Sequence, residues 1–536
     1  MLATLLSATL IGLDGRVIQV EVDVAGGLPG FTIVGLADTA LQEARERVRG
    51  AIRNAGFSFP PRRITVNLAP AEERKSGASL DLAIALGILL GSEQVRAGPG
   101  RIALVGELSL GGEVRPVPGV LPMTAALARR RLRRVVVPAS AVAEASLVDG
   151  IEVIGVASLG EAAEIIRRRP SRRAIVMPPR VDLVVDPSPG SSPGSSAATS
   201  GTVEGDTDGE SVPRGFAGPD LAEVRGQLEA RRALEVGLAG GHGLLLVGPP
   251  GSGKTLIART IAGLLPPLGD REALAATVVA SAAGEGPLRE LVRRAPVRAP
   301  HHTLSYAAMV GGPRLSPGEV TRADHGVLFL DELPEFSRDV LEALRQPLED
   351  GRVSIARAGR ATTFPAEFQL VAAMNPCPCG FAGTEDGGCR CTPGIPERYA
   401  GRVSGPFRDR IDLWVTMPKV RPAALVAGPD PESSAVVAVR IAAAREIQRE
   451  RNLGRLNGRM SGRTLRAICG LTPATTRRAI DLAELEGLSG RGTERLLRVA
   501  RTIADLAGMR TVEADHLEEA ARYRSPVATL AIREAS

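Results

Sequence analysis

One segment combines glycines, a lysine and a hydroxyl at the spacing that binds phosphate groups. An apolar run over 244–247 precedes it, and a predicted helix over 256–265 follows it. Such a loop turns backbone N–H groups toward phosphates, and the start of the helix favours their charge. The residues of this loop are Gly248, Pro249, Pro250, Gly251, Ser252, Gly253, Lys254 and Thr255. We expect Lys254 to reach the β- and γ-phosphates and Thr255 to bind Mg²⁺, so ATP and Mg²⁺ are the predicted cofactors.

Two further strands are predicted to end in polar residues that complete a site for ATP hydrolysis. The apolar run 327–330 ends in Asp331 and Glu332. Asp331 suits Mg²⁺, and Glu332 suits a base that orients and polarises the attacking water. A strand over 368–373 leads to Asn375, which we interpret as the sensor beside the γ-phosphate. A turn asparagine before a proline is the alternative for Asn375.

An arginine that follows these motifs could stabilise the γ-phosphate from a neighbouring subunit. We favour Arg410 for this arginine finger, with Arg402 and Arg408 as alternatives. Ordinary surface ion pairs are the competing explanation for these side chains.

Four of the five cysteines cluster directly after Asn375, as Cys377, Cys379, Cys389 and Cys391. Four thiolates on one glycine-containing loop can close tetrahedrally around Zn²⁺, although the C-x-C spacing is tighter than usual. Free thiols are one alternative, and disulfides are another that a cytoplasmic protein disfavours. We interpret the loop as a structural zinc site that stiffens the chain beside the ATP site.

The elements that must position these residues divide the chain into four parts, which give a multidomain α/β protein. Strands are predicted over 20–24, 64–68, 102–110 and 135–137, and helices from about 38 and over 80–90 and 121–131. Residues 1–182 are therefore predicted to form an α+β domain. Residues 183–215 are predicted to be a flexible acidic linker because Ser, Pro, Gly and Thr dominate there. Residues 216–422 alternate strand and helix patterns, typical of a parallel helix-covered sheet, and residues 423–536 have an all-helical pattern.

Composition narrows the class of protein. The 536 residues are 44% hydrophobic and 24% charged, as in globular proteins, and no apolar stretch is long enough to span a membrane. The apolar run 2–13 lacks a basic start and is predicted to be a first strand, so a cytoplasmic location without a membrane partner is expected. Five cysteines argue against a secreted disulfide scaffold. The net charge of +6 permits nucleic-acid binding without showing it.

The motifs, taken in order, resemble those of the AAA+ ATPases. The closer resemblance is to the magnesium-chelatase-like AAA+ family called YifB or ComM. The segments that carry it are 298–303, 316–319, 326–336, 344–351, 375–380 and 404–413, and the likeness extends over nearly the whole chain. The family implies a ring, usually a homohexamer, with ATP sites at subunit interfaces. Its ComM members imply branch migration of DNA during natural transformation, with single-stranded or branched DNA and recombination proteins as partners.

The resemblance also assigns the segment between the second and third motif strands. Residues 350–364 have the pattern of a β-hairpin, which the family implies projects into the pore of the ring. Arg352, Arg357 and Arg360 would then face a phosphate backbone, and a solvated basic hairpin is the alternative. His301 and His302 lie in a predicted loop before a helix-2 insert over 306–321, and we favour loop structure or nucleic-acid contact for them.

The C-terminal helices resemble the AAA+ lid, which implies one arginine that contacts the γ-phosphate from the same chain. We favour Arg491, which lies at the start of a helix, and Arg495 is the alternative. Solvated charges are the competing explanation for the arginines of this helix.

The N-terminal domain resembles the Lon-type proteases, which have the ribosomal S5 domain 2-like fold. Segments 75–81 and 106–116 carry the likeness, and Ser79 falls at the position of the catalytic serine. The position of the catalytic lysine holds Leu121, and a serine hydroxyl without a base is a weak nucleophile. We therefore expect an inactive Lon-like domain that serves as a ring or DNA-binding platform. The same fold in the RadA recombination protein suits a role on DNA.

Three functions follow from these resemblances. The favoured one is an ATP-driven motor on DNA, a ComM-like branch-migration helicase. A magnesium-chelatase-type subunit that acts on a porphyrin or remodels a protein partner is the second. An ATP-dependent Lon-like protease is disfavoured, because Leu121 replaces the lysine of the dyad.

Overall fold

A computed structural model of the chain describes residues 1–35, 39–70, 77–98, 100–167, 218–312, 315–357, 360–384, 388–426 and 430–523. Within these ranges, residues 1–9, 17–117 and 124–167 form one compact unit, and residues 10–16, 118–123 and 218–523 form a second. The linker predicted for 183–215 lies outside the described residues, so its extent stays a prediction. None of the described helices combines the length and apolar character needed to cross a bilayer.

The first 167 residues mix strands and helices. The elements are β1 (Leu2–Ile11), β2 (Asp14–Ala25), β3 (Gly30–Val34), α1 (Thr39–Asn54), β4 (Arg63–Ala69), α2 (Asp81–Gly91), β5 (Ala103–Leu104), β6 (Glu107–Leu108), β7 (Val114–Arg115), α3 (Val120–Arg129), β8 (Arg134–Pro138), α4 (Val142–Ala145), β9 (Glu152–Val156) and α5 (Leu159–Arg167). Seven strands form one mixed sheet in the order β3-β4-β2-β1-β5-β8-β9. Alternate apolar residues of β2 are fully or almost fully buried, because side chains of a strand point to opposite faces in turn.

The single strand predicted over 102–110 is wrong, because the structure has β5 and β6 there instead. The chain leaves the sheet at Gly106, whose amide donates to Ser79 O and whose carbonyl accepts from Leu82 N. A Cβ at Gly106 would lie 2.8 Å from Val114 Cγ1, so only glycine fits this close approach. The backbone bonds that a strand would need are thus made to the start of α2.

The buried helix α2 carries one charged residue, Asp81. Its carboxylate accepts from Arg47 Nε at 2.7 Å and from Arg47 Nη2 at 3.3 Å. Burial raises the pKa of Asp81 to about 6, against the opposing effect of Arg47. The Arg47–Asp81 pair connects α1 to the start of α2. Removing one partner would leave the charge of the other uncompensated.

The central part of the second unit is a helix-covered sheet. Its elements are α6 (Leu228–Gly240), β10 (Leu244–Val247), α7 (Lys254–Arg259), α8 (Ile261–Leu264), α9 (Asp270–Ala282), β11 (Val297–Arg298), α10 (Tyr306–Val310), α11 (Glu319–Arg322), β12 (Val327–Leu330), α12 (Arg338–Ala343), α13 (Arg345–Asp350), β13 (Arg352–Arg357), β14 (Arg360–Pro365), β15 (Gln369–Met374), α14 (Ile395–Ala400), α15 (Gly405–Arg408), β16 (Leu413–Thr416) and α16 (Pro422–Val426).

The main sheet has the order β11-β12-β15-β10-β16, and all its pairs are parallel. Every residue of β10, β12 and β15 is buried, as expected for strands covered by helices on both faces. A parallel sheet was predicted for this region, and the mixed α/β architecture is confirmed. The order also brings the carboxyl ends of β12, β15 and β10 side by side.

One predicted helix of this region differs from the structure, and the predicted helix-2 insert takes the form of two short helices. The helix predicted over 256–265 begins at Lys254 and breaks at Thr260, whose amide donates to Ile257 O, three residues back. The insert predicted over 306–321 is two short helices, α10 and α11, separated by a bridge between Gly311 and Pro317. Gly311 has a φ of 134°, which a continuing helix cannot contain.

The C-terminal residues are helical, with elements α17 (Ser434–Arg451), α18 (Gly462–Cys469), α19 (Pro473–Leu485), α20 (Gly490–Leu506) and α21 (Ala514–Arg522). Asn457, which is fully buried, links two of these helices. Its Nδ2 donates to Thr502 Oγ1 at 3.0 Å and to Asp505 Oδ2 at 2.8 Å, and its Oδ1 accepts from Arg451 Nη2 at 2.9 Å. These hydrogen bonds connect α17, which carries Arg451, to α20, which carries Thr502 and Asp505. They therefore fix the orientation of α20 relative to α17.

Candidate active site

The phosphate-binding loop lies between β10 and α7, and its backbone requires glycine. Gly251 and Gly253 have φ of 76° and 93°, in the left-handed region that other residues rarely adopt. A Cβ on Gly248 would lie 2.3 Å from Met417 O. The three glycines let the loop turn tightly enough for α7 to begin at Lys254.

Lys254 Nζ lies where three oxygens converge. It donates to Gly248 O at 2.8 Å, to Pro249 O at 2.9 Å and to Asn375 Oδ1 at 3.1 Å. Desolvation lowers the pKa of Lys254, and the carboxylates that follow β12 oppose that shift. The side chain is therefore a cation held by neutral oxygen atoms, and phosphate oxygens could take the place of those atoms.

Thr255 and Asp331 bring two hard oxygen ligands together from different elements. Thr255 Oγ1 donates to Asp331 Oδ2 at 2.7 Å, and Asp331 Oδ1 accepts from the amide of Glu332 at 2.9 Å. Hydroxyl and carboxylate oxygens at one point suit Mg²⁺, which keeps most of its ligands as water and phosphate. The donor set thus fits the predicted ion.

Glu332 has an unusual backbone and a partner that sequence reasoning missed. Its φ of 53° places a non-glycine residue in the left-handed region, where strain is often stored at functional sites. Its carboxylate Oε2 lies 3.3 Å from His302 Nδ1, and the side chain is 54% exposed. His302 lies in the loop predicted for it, and the structure also places it beside the predicted base. The ring of His302 also meets Phe336 edge-on, with centroids 6.4 Å apart.

Asn375 follows β15, the strand that lies between β12 and β10. Its Oδ1 contacts the ammonium of Lys254 at 3.1 Å. The three strand ends therefore present Lys254, Asn375 and the carboxylates of 331–332 at one edge of the sheet. A polar group at this position can orient a water or a phosphate oxygen.

The four clustered cysteines close on one point. Sγ of Cys377 lies 3.3 Å from that of Cys379 and 3.9 Å from that of Cys389, and 3.6 Å separates Cys379 from Cys389. All four sulfurs, including that of Cys391, lie within 4.8 Å of one another, and none is in a disulfide. Hydrogen bonds from the backbone amides of Arg390 and Phe381 lower the pKa of Cys379 to about 6.

Arg410, the favoured arginine finger, is held within its own chain. Its guanidinium donates to Arg345 O at 3.1 Å and to Pro406 O at 2.7 Å, and it pairs with the carboxylate of Glu349. The alternative Arg402 is 56% exposed and pairs with Glu335 at 3.0 Å. None of the groups that hold Arg410 belongs to the phosphate-binding loop. The structure thus fixes its orientation but does not bring it to the ATP site of the same chain.

The favoured lid arginine, Arg491, is exposed and lies 3.9 Å from the second oxygen of Glu349. Arg495, its alternative, is buried. Arg501 on the same helix is fully buried and pairs with Asp505 at 3.0 Å. Two arginines of α20 are therefore core residues, which the pattern of the sequence did not predict.

Matches to known proteins cover nearly the whole chain. Residues 220–425 match the family described as magnesium chelatase, subunit ChlI, residues 20–141 match subunit ChlI of Mg-chelatase, and residues 431–524 match its C-terminal region. YifB of Escherichia coli is 40% identical over 519 residues, which cover 96% of this chain and 95% of YifB. The competence protein ComM of Haemophilus influenzae is 39% identical over 536 residues, with 99% and 98% coverage. An uncharacterized protein of Mycobacterium tuberculosis is 43% identical over 535 residues and 97% of each chain.

The chain belongs to the YifB/ComM family. The resemblance stated from the motifs is therefore confirmed. Membership in this magnesium-chelatase-like AAA+ family indicates an ATPase that uses ATP and Mg²⁺.

The hairpin that the YifB/ComM family implies is present as β13 and β14, which pair antiparallel from Arg352 opposite Pro365 to Arg357 opposite Arg360. Arg352 is exposed at the base of the hairpin. The side chains of Arg357 and Arg360 and the residues 358–359 between the two strands lie outside the described residues. Two arginines thus occupy facing backbone positions at the end of the ladder.

The serine that resembles a protease nucleophile is closed off. Ser79 is 5% exposed, and its hydroxyl donates to Ala8 O at 3.0 Å. Leu121, at the expected lysine position, is 2% exposed. Lys75, the one lysine in the sequence of residues 1–182, lies outside the described residues. The Lon-like assignment of this YifB/ComM domain stays a prediction.

Proposed function

We propose that this YifB/ComM-family chain is an ATP-hydrolysing ring motor that moves branched DNA. The observation that carries the proposal is the convergence of Lys254, Asn375 and the Thr255–Asp331 pair at one edge of a parallel sheet. Each of these groups has a task in phosphoryl transfer, a reaction that depends mainly on positioning and electrostatic stabilisation.

The residues divide the work of hydrolysis. Lys254 binds the phosphates, while Thr255 and Asp331 would hold Mg²⁺, which neutralises phosphate charge when bound. Glu332 accepts a proton from the attacking water, and Asn375 orients that water. Arg410, oriented by Glu349 within its own chain, completes the site of a neighbouring subunit as an arginine finger.

The DNA part of the proposal is supported by one relative and one element. ComM of Haemophilus influenzae is named a competence protein. The β13–β14 hairpin carries Arg352, Arg357 and Arg360, a set of positive charges suited to a phosphate backbone. We infer that the hairpin contacts DNA in the pore of a homohexamer, and that the N-terminal unit is an inactive Lon-like platform.

A sharp test measures ATP turnover and unwinding with single-stranded, duplex and forked DNA, beside native mass in each nucleotide state. We expect hexamers with ATP, stimulation by forked DNA and branch migration. A chain that stays monomeric in every nucleotide state, or whose turnover ignores DNA, would contradict the proposal.

The hairpin is tested by removing its charge. The triple substitution Arg352→Ala, Arg357→Ala and Arg360→Ala should weaken DNA affinity and reduce the salt slope by about one per lost phosphate contact. The matched control removes the same charge from exposed positions of the C-terminal helices, Arg463→Ala, Arg466→Ala and Arg477→Ala. Equal losses in both triples would show a general charge effect and no role for the hairpin.

A magnesium-chelatase-type subunit that remodels a protein partner is the second candidate, because the matching family models are described as magnesium chelatase subunit ChlI and its C-terminal region. It predicts a stable complex with a partner subunit and no affinity for DNA. The DNA titration therefore separates the two functions.

A further inference from the structure

The loop that follows β15 contains a ready-made sulfur site. Its four cysteine sulfurs lie within 4.8 Å of one another, with described separations of 3.3, 3.6 and 3.9 Å. Four sulfurs bound tetrahedrally at about 2.3 Å from one Zn²⁺ are about 3.8 Å apart. The sulfurs are therefore already spaced as the ligands of a single ion.

Other chemistry fits this spacing less well. A disulfide requires about 2.05 Å between sulfurs, well below each described separation. An iron–sulfur cluster distributes its cysteines over several metal atoms, which would place the sulfurs farther apart. The spacing therefore favours a single metal ion bound by four thiolates, and such a closed set of four sulfurs is typical of structural zinc.

The same loop contacts the ATP site at two points. Cys377, which is fully buried, follows Asn375 by two residues, and Asn375 Oδ1 contacts Lys254 Nζ. Gly380 lies against Pro250 of the phosphate-binding loop so closely that a Cβ there would be 2.4 Å from Pro250 Cδ. Cys377 and Cys379 thus lie in the segment that runs from the predicted sensor, Asn375, to Gly380 beside the phosphate-binding loop.

We propose that Cys377, Cys379, Cys389 and Cys391 bind one Zn²⁺, and that the ion holds residues 375–380 against Pro250. The ion fixes the distance between Asn375 and Lys254, so it is a positioning element of the ATP site and not a catalytic metal. The binding of zinc stands on the sulfur geometry alone, whereas the effect on hydrolysis rests on the proposed function.

Metal analysis of the purified full chain tests the site directly. We expect about one Zn²⁺ per chain, released when a mercurial reagent titrates the thiols and detected with a colorimetric zinc indicator. Cys379→Ser and Cys389→Ser should lose the zinc, while Cys469→Ser, a lone cysteine in α18, should retain it. Wild-type protein without zinc after reconstitution, or zinc retained in both loop variants, would overturn the proposal. Release from wild-type protein gives the answer even if a loop variant fails to fold.

Coupling to the ATP site is tested by a glycine pair in the same loop. Gly380→Ala forces a Cβ against Pro250 and should retain zinc but weaken binding of a fluorescent, non-hydrolysable ATP analogue roughly tenfold. Gly394→Ala is the matched control, because Gly394 has a φ of 83°, close to the 87° of Gly380, while a Cβ there would meet nothing within 4 Å. Equal nucleotide affinity in Gly380→Ala, in zinc-depleted protein and in wild type would overturn the positioning role. Neither assay contains DNA, so failure of the DNA motor would leave both results unchanged.

Discussion

Two segments of the molecule lead into helices and carry residues with catalytic potential, and they differ in what surrounds them. At the start of α7, Lys254 meets Asn375 and faces the carboxylates that follow β12. Just before α2, Ser79 donates to a backbone carbonyl and is almost fully buried. The difference teaches that a motif carries chemistry only where distant elements supply its partners. Among the described residues, the hydrogen-bond partner of the Ser79 hydroxyl is the backbone carbonyl of Ala8, and the contrast with Lys254 rests on that difference.

The largest effect should come from the predicted base of the ATP site. Glu332→Gln keeps the shape of the side chain but cannot accept a proton, so hydrolysis should slow by roughly 10²- to 10⁴-fold while ATP binding is retained. The measurement is steady-state turnover beside equilibrium binding of an ATP analogue. Glu335→Gln, which changes an exposed neighbour, is the control. Turnover near the wild-type rate in Glu332→Gln would remove Glu332 from the mechanism.

The phosphate-binding lysine should give the next largest effect, and mainly on binding. Lys254→Ala removes the cation of the loop, so nucleotide affinity should fall about 100-fold or more, and ATP-dependent unwinding of forked DNA should disappear. Titration with a fluorescent nucleotide measures this loss. Lys419→Ala removes the same charge elsewhere and should bind normally. Comparable affinity in both variants would break the comparison.

His302 should have a smaller effect, because it acts through Glu332. His302→Ala frees the exposed Glu332 side chain, and loss of one such contact, worth about 0.5–1.5 kcal/mol, should lower kcat by roughly 2- to 12-fold with KM unchanged. The adjacent His301→Ala serves as control. Relative to His302→Ala, His302→Gln should restore part of kcat. A change in KM alone would instead indicate that His302 contacts the nucleotide.

The smallest effect is expected at Ser79. Ser79→Ala removes one buried hydrogen bond, which costs about 0.5–1.5 kcal/mol of unfolding free energy, and should leave ATP turnover unchanged. Thermal unfolding and turnover are the two measurements. Casein degradation by the wild type that Ser79→Ala abolishes would show that the serine is catalytic, and the contrast between the two segments would fail.

Local sequence patterns predicted much of the fold. The apolar runs at β10, β12 and β15 and the alternation in β2 were readable, because burial on both faces or on one face leaves a direct mark on composition. The strand predicted over 102–110 was wrong, since nothing in its pattern announces the hydrogen bonds of Gly106 to the start of α2. The buried Arg501 of α20 was missed for a similar reason: its partners, backbone carbonyls and Asp505, become visible only after folding.

The sequence by itself determined which groups could act on ATP, because the phosphate-binding loop and the polar residues that end two strands are local patterns with fixed spacing. The tertiary structure decided which groups meet. It placed β15 between β12 and β10, brought His302 to Glu332, and joined Arg410 and Arg491 at Glu349. These contacts join residues far apart in the chain, and such contacts follow from strand order and packing, which no local spacing encodes.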